Sequence, residues 1–339
     1  MDNLDWRNLG FGYMKTDYNV RCYYRNGKWG RLELHSDEYV PMHMAATCLH
    51  YGQEAFEGQK AFMGKDGKVR VFRVEENARR MQSSADYLQM QPVPVELFVE
   101  AVKTVVDANR RFVPPYGTGA TLYIRPLLIG SGAKVGVSPA DEYLFIVFVT
   151  PVGPYYKEGF RPIRVMIDRD HDRAAPHGTG HVKAGGNYGA SLISEEVAHK
   201  RGYPGILYLD SAEKKYIDEC GTSNFFAIRD GKYITPHSHS ILPSITNMSL
   251  RTIAEQELGL GIEQRKVEAA ELPTFEEVGC CGTAAVISPI KSIYDPQSDH
   301  TYVYCDGDEA GPVCTRLFHR LQGIQFGESE DSYGWMTEV

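Results

Sequence analysis

One lysine, Lys183, stands in a glycine-rich segment, His181-Val182-Lys183-Ala184-Gly185-Gly186-Asn187-Tyr188-Gly189. Glycines let the backbone take conformations closed to other residues and let a flat ligand approach closely. A desolvated lysine amine loses its proton more easily, and a neutral amine attacks carbonyl groups to form Schiff bases. The same segment also fits a glycine nest in which a lysine binds phosphate as a point charge. The segment alone leaves both chemistries open.

A carboxylate in a comparable setting is Glu219, which we expect between a strand end and the stretch Cys220-Gly221-Thr222-Ser223-Asn224. A carboxylate placed there can face the nitrogen of a ring and keep it protonated. A solvated loop acid is the ordinary alternative for a single glutamate.

Phosphate can be held at a predicted helix start and by one arginine. The stretch Ser240-Ile241-Leu242-Pro243-Ser244-Ile245-Thr246 predicts a helix N-terminus, because proline and hydroxyl residues are favoured there. The backbone N–H groups of Ile245 and Thr246 would then point outward and bind an anion. Arg80, late in a predicted helix over 75–89, can add a bidentate contact. An ordinary capped helix and a surface arginine are the alternatives.

Composition narrows the class of protein. The chain of 339 residues allows about two domains, and 42% hydrophobic and 24% charged residues are typical of a soluble enzyme. A net charge of −8 predicts no nucleic-acid partner. The longest apolar run, residues 143–149, is too short to span a bilayer, so we predict no membrane partner. Three charged side chains within Met1 to Gly10 predict no signal peptide and a cytoplasmic protein.

The seven cysteines show neither a disulfide framework nor a zinc spacing. We therefore predict reduced thiols and no metal site. Cys280 and Cys281 are adjacent and cannot form a CxxC pair.

The order of elements predicts an α/β chain whose first half is of the α+β type. Residues 1 to about 30 are predicted to be an extended arm, followed by a hairpin around Asp66-Gly67 and helices over 75–89 and 95–112. Three prolines and two glycines in residues 151–162 indicate an interdomain linker. We predict a small N-terminal α+β domain (residues 1–151), a linker (152–162) and a large C-terminal domain (163–339).

Several stretches, read in chain order, resemble one enzyme family and cover about residues 30 to 325. They are Tyr51…Phe56-Glu57-Gly58-x-Lys60-Ala61, Val71-Phe72-Arg73…Arg80, Leu122-Tyr123-Ile124-Arg125-Pro126, Lys183 to Gly189, Glu219 to Phe226, Ile241 to Thr246 and Gly282-Thr283-Ala284. The chain resembles the branched-chain amino acid aminotransferases of fold type IV, which use pyridoxal 5'-phosphate (PLP). The Phe-Glu-Gly and Gly-Gly-Asn-Tyr blocks are more specific to the branched-chain group than to fold type IV at large.

The resemblance implies a homodimer with an active site between the two domains of each chain and PLP bound by the C-terminal domain. The implied reaction exchanges the amino group between leucine, isoleucine or valine and 2-oxoglutarate, giving glutamate. Lys183 would form the Schiff base and move the proton at Cα, Tyr188 would donate to O3′, and Glu219 would face the pyridine nitrogen. The remaining implied cofactor residues are Arg80, Ile245, Thr246 and Thr283 at the phosphate, Leu242 on the ring face, and Arg173 and Thr222.

Substrate residues follow partly from the resemblance and partly from strand geometry. The N–H groups of Thr283 and Ala284, helped by Tyr51, would take the α-carboxylate. The implied side-chain pocket is lined by Phe56, Tyr123, Tyr155 and Ala284. Arg125 lies two residues from Tyr123 on one strand and therefore projects to the same face, where it can bind the γ-carboxylate of glutamate. A structural ion pair is the alternative for Arg125.

The chain departs from the mammalian members, which carry a CxxC thiol pair just after the Gly-Thr-Ala turn. Ala285 and Ser288 stand at those positions, so we predict no thiol switch there. The direction of the reaction, the preference among the three amino acids and any higher oligomer stay open.

Three other functions compete with this interpretation. A D-amino-acid aminotransferase or an aminodeoxychorismate lyase would share the lysine and the glutamate but lack the Phe-Glu-Gly and Gly-Gly-Asn-Tyr blocks. A Rossmann enzyme needs a strand-GxGxxG-helix unit, which Gly178-x-Gly180 does not supply. A non-enzymatic PLP-binding protein would not need Glu219, Tyr188 and a carboxylate clamp together.

Overall fold

The computed structural model describes residues 4–155 and 159–339. Residues 1–3 and residues 156–158 of the predicted linker lie outside this range. The chain forms two compact units: a first unit of Met1–Lys157, Val182–Gly185 and Gly323–Val339, and a second unit of Glu158–His181 and Gly186–Gln322. The predicted division at residues 152–162 put all residues from 163 onward in the second domain, whereas Val182–Gly185 and Gly323–Val339 belong to the first unit.

The first unit is an antiparallel sheet with helices. Its strands are β1 (Asn19–Arg25), β2 (Lys28–Trp29), β3 (Glu33–His35), β4 (Glu54–Phe56), β5 (Gln59–Met63), β6 (Val69–Phe72), β7 (Thr121–Gly130), β8 (Tyr143–Val152) and β18 (Met336–Glu338). Its helices are α1 (Thr47–Tyr51), α2 (Val74–Tyr87) and α3 (Val95–Ala108), followed by a short 3₁₀ turn at Arg110–Phe112. The strand order is β18-β6-β5-β7-β8-β1-β2, with β3 on β1 and β4 on β7.

The hydrophobic stripes of α2 and α3 explain why both helices pack onto this sheet. Met81 and Ala85 lie one turn apart on α2, and Phe98 and Val102 do so on α3; all are fully buried. Burying one such large side chain stabilises a fold by about 1.5–3 kcal/mol. The predicted helix over 75–89 and the Asp66-Gly67 hairpin between β5 and β6 are confirmed. The helix predicted over 95–112 ends at Ala108, before the 3₁₀ turn.

The predicted extended arm is wrong for its second half, because β1 pairs with the central strand β8. Val20 and Cys22 alternate along β1 and are fully buried. The tyrosines around them hid this two-residue period in the sequence, because a tyrosine can be buried or exposed with nearly equal ease.

The second unit is built on a mixed sheet, which also has nine strands. Its strands are β9 (Ile163–Asp168), β10 (Gly205–Leu209), β11 (Ile217–Cys220), β12 (Ser223–Arg229), β13 (Lys232–Pro236), β14 (Gly261–Arg265), β15 (Glu277–Gly282), β16 (Val286–Asp295) and β17 (His300–Val303). Its helices are α4 (Gly185–Lys200), α5 (Ile245–Gln256) and α6 (Pro312–Gln325), with a 3₁₀ segment at Ala269–Thr274. The first residue of α4 and the end of α6 belong to the first unit.

Strand β11 closes this sheet on itself. The strand order β11-β10-β9-β16-β15-β12 returns to its start, since β11 also pairs with β12. A closed sheet leaves no free edge along these strands and fixes their register. The mixed α and β class predicted from the sequence is confirmed.

No helix in the described part of the chain is both long and apolar enough to cross a bilayer. Within the same residues, no cluster of histidine, cysteine, aspartate or glutamate has the arrangement of a metal site.

Candidate active site

The lysine segment lies along β4 in the first unit. The Lys183 carbonyl accepts a hydrogen bond from the Phe56 N–H at 3.0 Å, and the Lys183 N–H donates to the Ser84 hydroxyl at 3.1 Å. The Gly185 N–H donates to the Glu54 carboxylate, and a Cβ on Gly185 would collide with that carboxylate. Hydrogen bonds of the main chain therefore hold the lysine segment on both sides of Lys183.

The Phe56 ring is flanked by two cations. Lys183 Nζ and Arg125 Cζ each lie 4.8 Å from the ring centroid. Cation–ring contacts contribute about 0.5–2 kcal/mol, depending on how dry the site is. The Phe56 ring thus brings the Lys183 amine and the Arg125 guanidinium to one side chain.

Arg125 is held at this face by a hydrogen bond from one of its guanidinium nitrogens. Its Nη2 donates to the Tyr123 hydroxyl at 3.1 Å. Its Nε is buried and has no hydrogen-bond partner among residues 4–155 and 159–339, and no ion pair of Arg125 is found there either. A buried donor without an acceptor costs about 1–3 kcal/mol, and the described residues show no ion pair of the kind that the structural alternative for Arg125 requires.

Arg80 forms a buried bidentate pair with Glu57. Its Nε and Nη2 donate to the two carboxylate oxygens at 2.8 and 2.7 Å, and Glu57 also accepts from Asn77 Nδ2 at 2.8 Å. Glu57 is fully buried. Breaking such a pair costs about 3–5 kcal/mol, because a charge stays buried alone. The sequence marked Glu57 only as a motif residue, whereas the structure makes it the residue that holds Arg80.

Two tyrosines predicted to contact substrate, Tyr51 and Tyr155, are exposed. The Tyr51 hydroxyl donates to the Val135 carbonyl, so its single proton is already used in this conformation and cannot go to a carboxylate. Tyr155 is exposed and is the last described residue before the gap.

Glu219, in the second unit, is a buried carboxylate with two partners. It accepts from the Leu242 N–H at 2.5 Å, and one oxygen lies 3.3 Å from Arg173 Nη2. Both partners stabilise the charged form of the carboxylate in a dry place. The solvated loop acid that competed with this assignment is therefore wrong, since Glu219 is 2% exposed.

Arg173 supports Glu219 and the surrounding backbone. Its guanidinium donates to the Gly180 carbonyl at 3.2 Å and to the Ser240 carbonyl at 2.5 Å. A Cβ on Gly180 would overlap the Ser240 backbone, so a glycine is needed for this approach. These contacts place Arg173 behind Glu219.

An asparagine pair connects β12, which pairs with the Glu219 strand β11, to the start of α5. Asn224 Nδ2 donates to the Leu242 carbonyl at 3.0 Å, and Asn247 Nδ2 donates to Asn224 Oδ1 at 3.1 Å. Both polar ends of the Leu242 peptide are thus held, one by Glu219 and one by Asn224. This coupling explains why the two motifs occur together in one chain.

The start of α5 has the predicted form of an anion site. Ser244 is the N-cap, and its hydroxyl accepts from the Asn247 N–H at 3.2 Å. The N–H groups of Ile245 and Thr246 precede the first donor that a helical turn can satisfy, so they have no acceptor within the helix. Helix α5 therefore directs two backbone donors and the positive end of its dipole outward.

The other predicted second-unit residues lie on loops or at helix starts. Thr283 and Ala284 form a half-buried turn between β15 and β16, Tyr188 lies in the first turn of α4, and Leu242 is buried. Thr222 occupies the β11–β12 turn and is exposed.

The prediction that all cysteines are reduced is wrong for one pair, since Cys220 and Cys280 form a disulfide. The two residues are 60 positions apart. Strand β12 pairs with both β11 and β15 and brings them together, which no sequence spacing could indicate. Cys281 stays free and buried, and burial raises the pKa of its thiol.

Peptide mapping checks this pairing. In protein prepared without reductant, the peptide with Cys220 is expected to be joined to the peptide with Cys280, while Cys281 is alkylated only after unfolding. A bridge to Cys281, or free thiols at both Cys220 and Cys280, would contradict the structure. Cys22 is the matched control, because it is a buried free thiol in the first unit.

Comparison of the sequence with known proteins identifies the family of this chain. Residues 54–293 match the family described as amino-transferase class IV. The chain belongs to the class IV aminotransferases. It is 49% identical over 345 residues to the branched-chain-amino-acid aminotransferase of Haemophilus influenzae, and the match covers 100% of both chains.

Solved structures of class IV aminotransferases share the fold. The branched-chain amino acid aminotransferase of Escherichia coli superposes with a TM-score of 0.79 at 29% identity, covering 95% of this chain and 99% of that one. The holo, PLP-form enzyme of Thermobaculum terrenum gives 0.78 at 26% identity, covering 96% and 98%. PLP is the cofactor of this family.

The residues of this class IV aminotransferase fit PLP. Glu219 is a buried anion for a pyridine nitrogen, and the start of α5 offers donors for a phosphate. Lys183 lies against the Phe56 ring in a segment fixed by its main chain. Sequence reasoning missed four residues that hold these groups: Glu54, Ser84, Asn224 and Asn247. Only Asn224, inside a recognised motif, carried any signal.

Proposed function

We propose that this chain is a branched-chain-amino-acid aminotransferase, which reversibly transfers the amino group of leucine, isoleucine or valine to 2-oxoglutarate. The full-length similarity to a relative of that name carries the proposal. The Phe56 face supports it, because a hydrocarbon wall beside one cation suits both an apolar side chain and a γ-carboxylate. A D-amino-acid aminotransferase or a lyase would share Lys183 and Glu219 without needing that face.

A substrate panel tests the proposal. Purified holoenzyme is offered each of leucine, isoleucine, valine, D-alanine and aminodeoxychorismate, with 2-oxoglutarate as acceptor in the transaminase assays. We expect glutamate to form with the three branched-chain L-amino acids. Turnover of D-alanine or of aminodeoxychorismate in preference to these would overturn the assignment.

We assign each proposed cofactor residue a function in binding or using PLP. When bound, PLP links to an amine through its aldehyde and takes up into its ring the electrons left when a Cα proton departs. Lys183 would hold the cofactor and then carry that proton. Glu219, supported by Arg173, would keep the ring nitrogen protonated, and Tyr188 would donate to O3′. The remaining proposed contacts are Arg80, Thr283 and the N–H groups of Ile245 and Thr246 at the phosphate, Leu242 on the ring, and Thr222.

The substrate residues are proposed in the same way. The N–H groups of Thr283 and Ala284 would hold the α-carboxylate, since both lie in one tight turn. Phe56, Tyr123 and Tyr155 would face the side chain. Tyr51 would join them only if its hydroxyl left Val135. The homodimer and the cytoplasmic location stay predictions.

Arg125 is proposed to bind the γ-carboxylate of glutamate and 2-oxoglutarate. Arg125→Met is expected to lower kcat/KM for both by roughly tenfold to a hundredfold, because a charge-assisted hydrogen bond contributes about 1.5–3 kcal/mol. Leucine and valine should be nearly unaffected. Single-turnover kinetics of each half-reaction measure the difference, and equal losses for leucine and glutamate would mean that Arg125 supports the fold alone.

A further inference from the structure

Glu54, a carboxylate that the proposed reaction does not use, lies on the same sheet face as the proposed substrate residues. On β4, Glu54 and Phe56 are two residues apart and therefore project to one face. They pair with Ile129 and Leu127 of β7, and Arg125 continues that alternation. The contact between the Arg125 guanidinium and the Phe56 ring confirms that these side chains share a face.

Glu54 is coupled to two parts of this face. One of its oxygens accepts the Gly185 N–H, at the first residue of α4 and two residues beyond Lys183. Burial raises the pKa of the Glu54 carboxyl, whereas the Gly185 N–H and the charge of Arg125 act in the opposite direction. The second oxygen makes no hydrogen bond or ion pair within residues 4–155 and 159–339. The Glu54 carboxylate therefore interacts with the charge of Arg125 through space and forms no ion pair with it.

An apolar substrate and an acidic substrate place different demands on the charges of Glu54 and Arg125. A guanidinium buried beside a hydrocarbon side chain costs free energy unless an anion lies near. A resident carboxylate supplies that anion when the substrate is apolar. The same carboxylate repels a substrate that brings a γ-carboxylate of its own.

We propose that Glu54 is a specificity-determining residue, whose charge balances Arg125 while an apolar substrate is bound and disfavours acidic substrates. The proposal rests on the branched-chain aminotransferase function and deepens it. Glu54 acts through Arg125 and through space, and it takes part in no bond-making step. A purely structural Glu54 would only anchor Gly185.

Glu54→Gln separates charge from anchoring, because glutamine keeps an oxygen that accepts the Gly185 N–H. We expect kcat/KM for glutamate and 2-oxoglutarate to rise about threefold to tenfold, since a repulsion between like charges is removed. For leucine and valine, kcat/KM should fall by about twofold or more. The ratio of kcat/KM for glutamate to kcat/KM for leucine is measured on one preparation, so that incomplete folding or incomplete cofactor loading affects both values equally. Equal factors for both substrate classes would overturn the proposal.

A binding measurement gives a second readout that needs no turnover. The dissociation constants of glutarate and 4-methylpentanoate, which cannot transaminate, are measured with wild type and Glu54→Gln. Glutarate should bind more tightly to the variant, and 4-methylpentanoate should not. Glu54→Asp, which retains the charge, should keep the wild-type preference even if total activity falls. An unchanged preference in Glu54→Gln would contradict the proposal.

Two controls locate the effect. In an Arg125→Met background, Glu54→Gln should no longer lower kcat/KM for leucine and valine, because the charge that Glu54 balances is gone; a persisting loss with these substrates would overturn the proposal. Glu142→Gln removes an exposed carboxylate paired with Arg25 in the same unit and should leave the ratio at its wild-type value. Failure of the underlying function is separate, since wild type would then not transaminate branched-chain amino acids.

Discussion

Replacing Lys183 with alanine is expected to abolish turnover of every substrate while leaving the fold intact. The hydrogen bonds that hold this segment, from the Phe56 N–H and to Ser84, use only the main chain of residue 183, so alanine keeps them. The amine that would carry the Cα proton is lost. A positioned proton carrier contributes about 10²–10⁴ in rate, and the covalent hold on the cofactor is lost as well.

Kinetics and cofactor content together check this result. We expect a loss of more than about ten-thousandfold in kcat with leucine and 2-oxoglutarate. PLP should still copurify through the groups proposed to bind its phosphate. The matched control is Lys68→Ala, an exposed lysine paired with Glu338 in the same unit, which should keep full activity. Substantial transamination by the Lys183 variant would show that another residue moves the proton.

Glu219→Gln is expected to slow the loss of the Cα proton by about a hundredfold or more, because the anion proposed to keep the ring nitrogen protonated is removed and the ring takes up electrons less readily. Glutamine still accepts the Leu242 N–H, so the start of α5 should keep its place. Arg173 loses its charged partner, however, and a buried charge left alone costs about 3–5 kcal/mol. We therefore expect a lower Tm together with the slower reaction.

The comparison of ordinary with Cα-deuterated leucine in single turnovers identifies the step. The isotope effect should grow in Glu219→Gln, because proton loss becomes fully rate-limiting. Asp218→Asn is the matched control: it removes the neighbouring carboxylate on β11, which accepts from Ser238 and Ser240. An unchanged rate of proton loss in Glu219→Gln would mean that the ring nitrogen has another partner.

Short sequence motifs predict those parts of the site that are formed by residues adjacent in sequence. The hydroxyl and proline before Ile245 predict the start of α5, because capping is settled within one turn. The glycines around Lys183 predict a close backbone approach, and the structure shows that approach at Gly185. For Glu219 the sequence allows a carboxylate that faces a ring nitrogen or a solvated loop acid, and its burial excludes the second.

Contacts across long stretches of chain could not be predicted in this way. The partners of the lysine segment, Glu54 and Ser84, are about 130 and 99 residues away in sequence. The disulfide between Cys220 and Cys280 depends on the pairing of β12 with two other strands. Such contacts follow from sheet register and from the packing of α2, which a single sequence does not encode locally.

The central claim is that Lys183 holds the cofactor, and Lys60 is another lysine of the first unit that could do so. Burial lowers the pKa of Lys60 to about 8, and Lys60 pairs with Tyr123 across β5 and β7. Borohydride reduction of the holoenzyme, followed by peptide mass mapping, distinguishes the two lysines directly. The expected result is a phosphopyridoxyl group on Lys183 alone. The group on Lys60, or on no lysine at all, would contradict the claim.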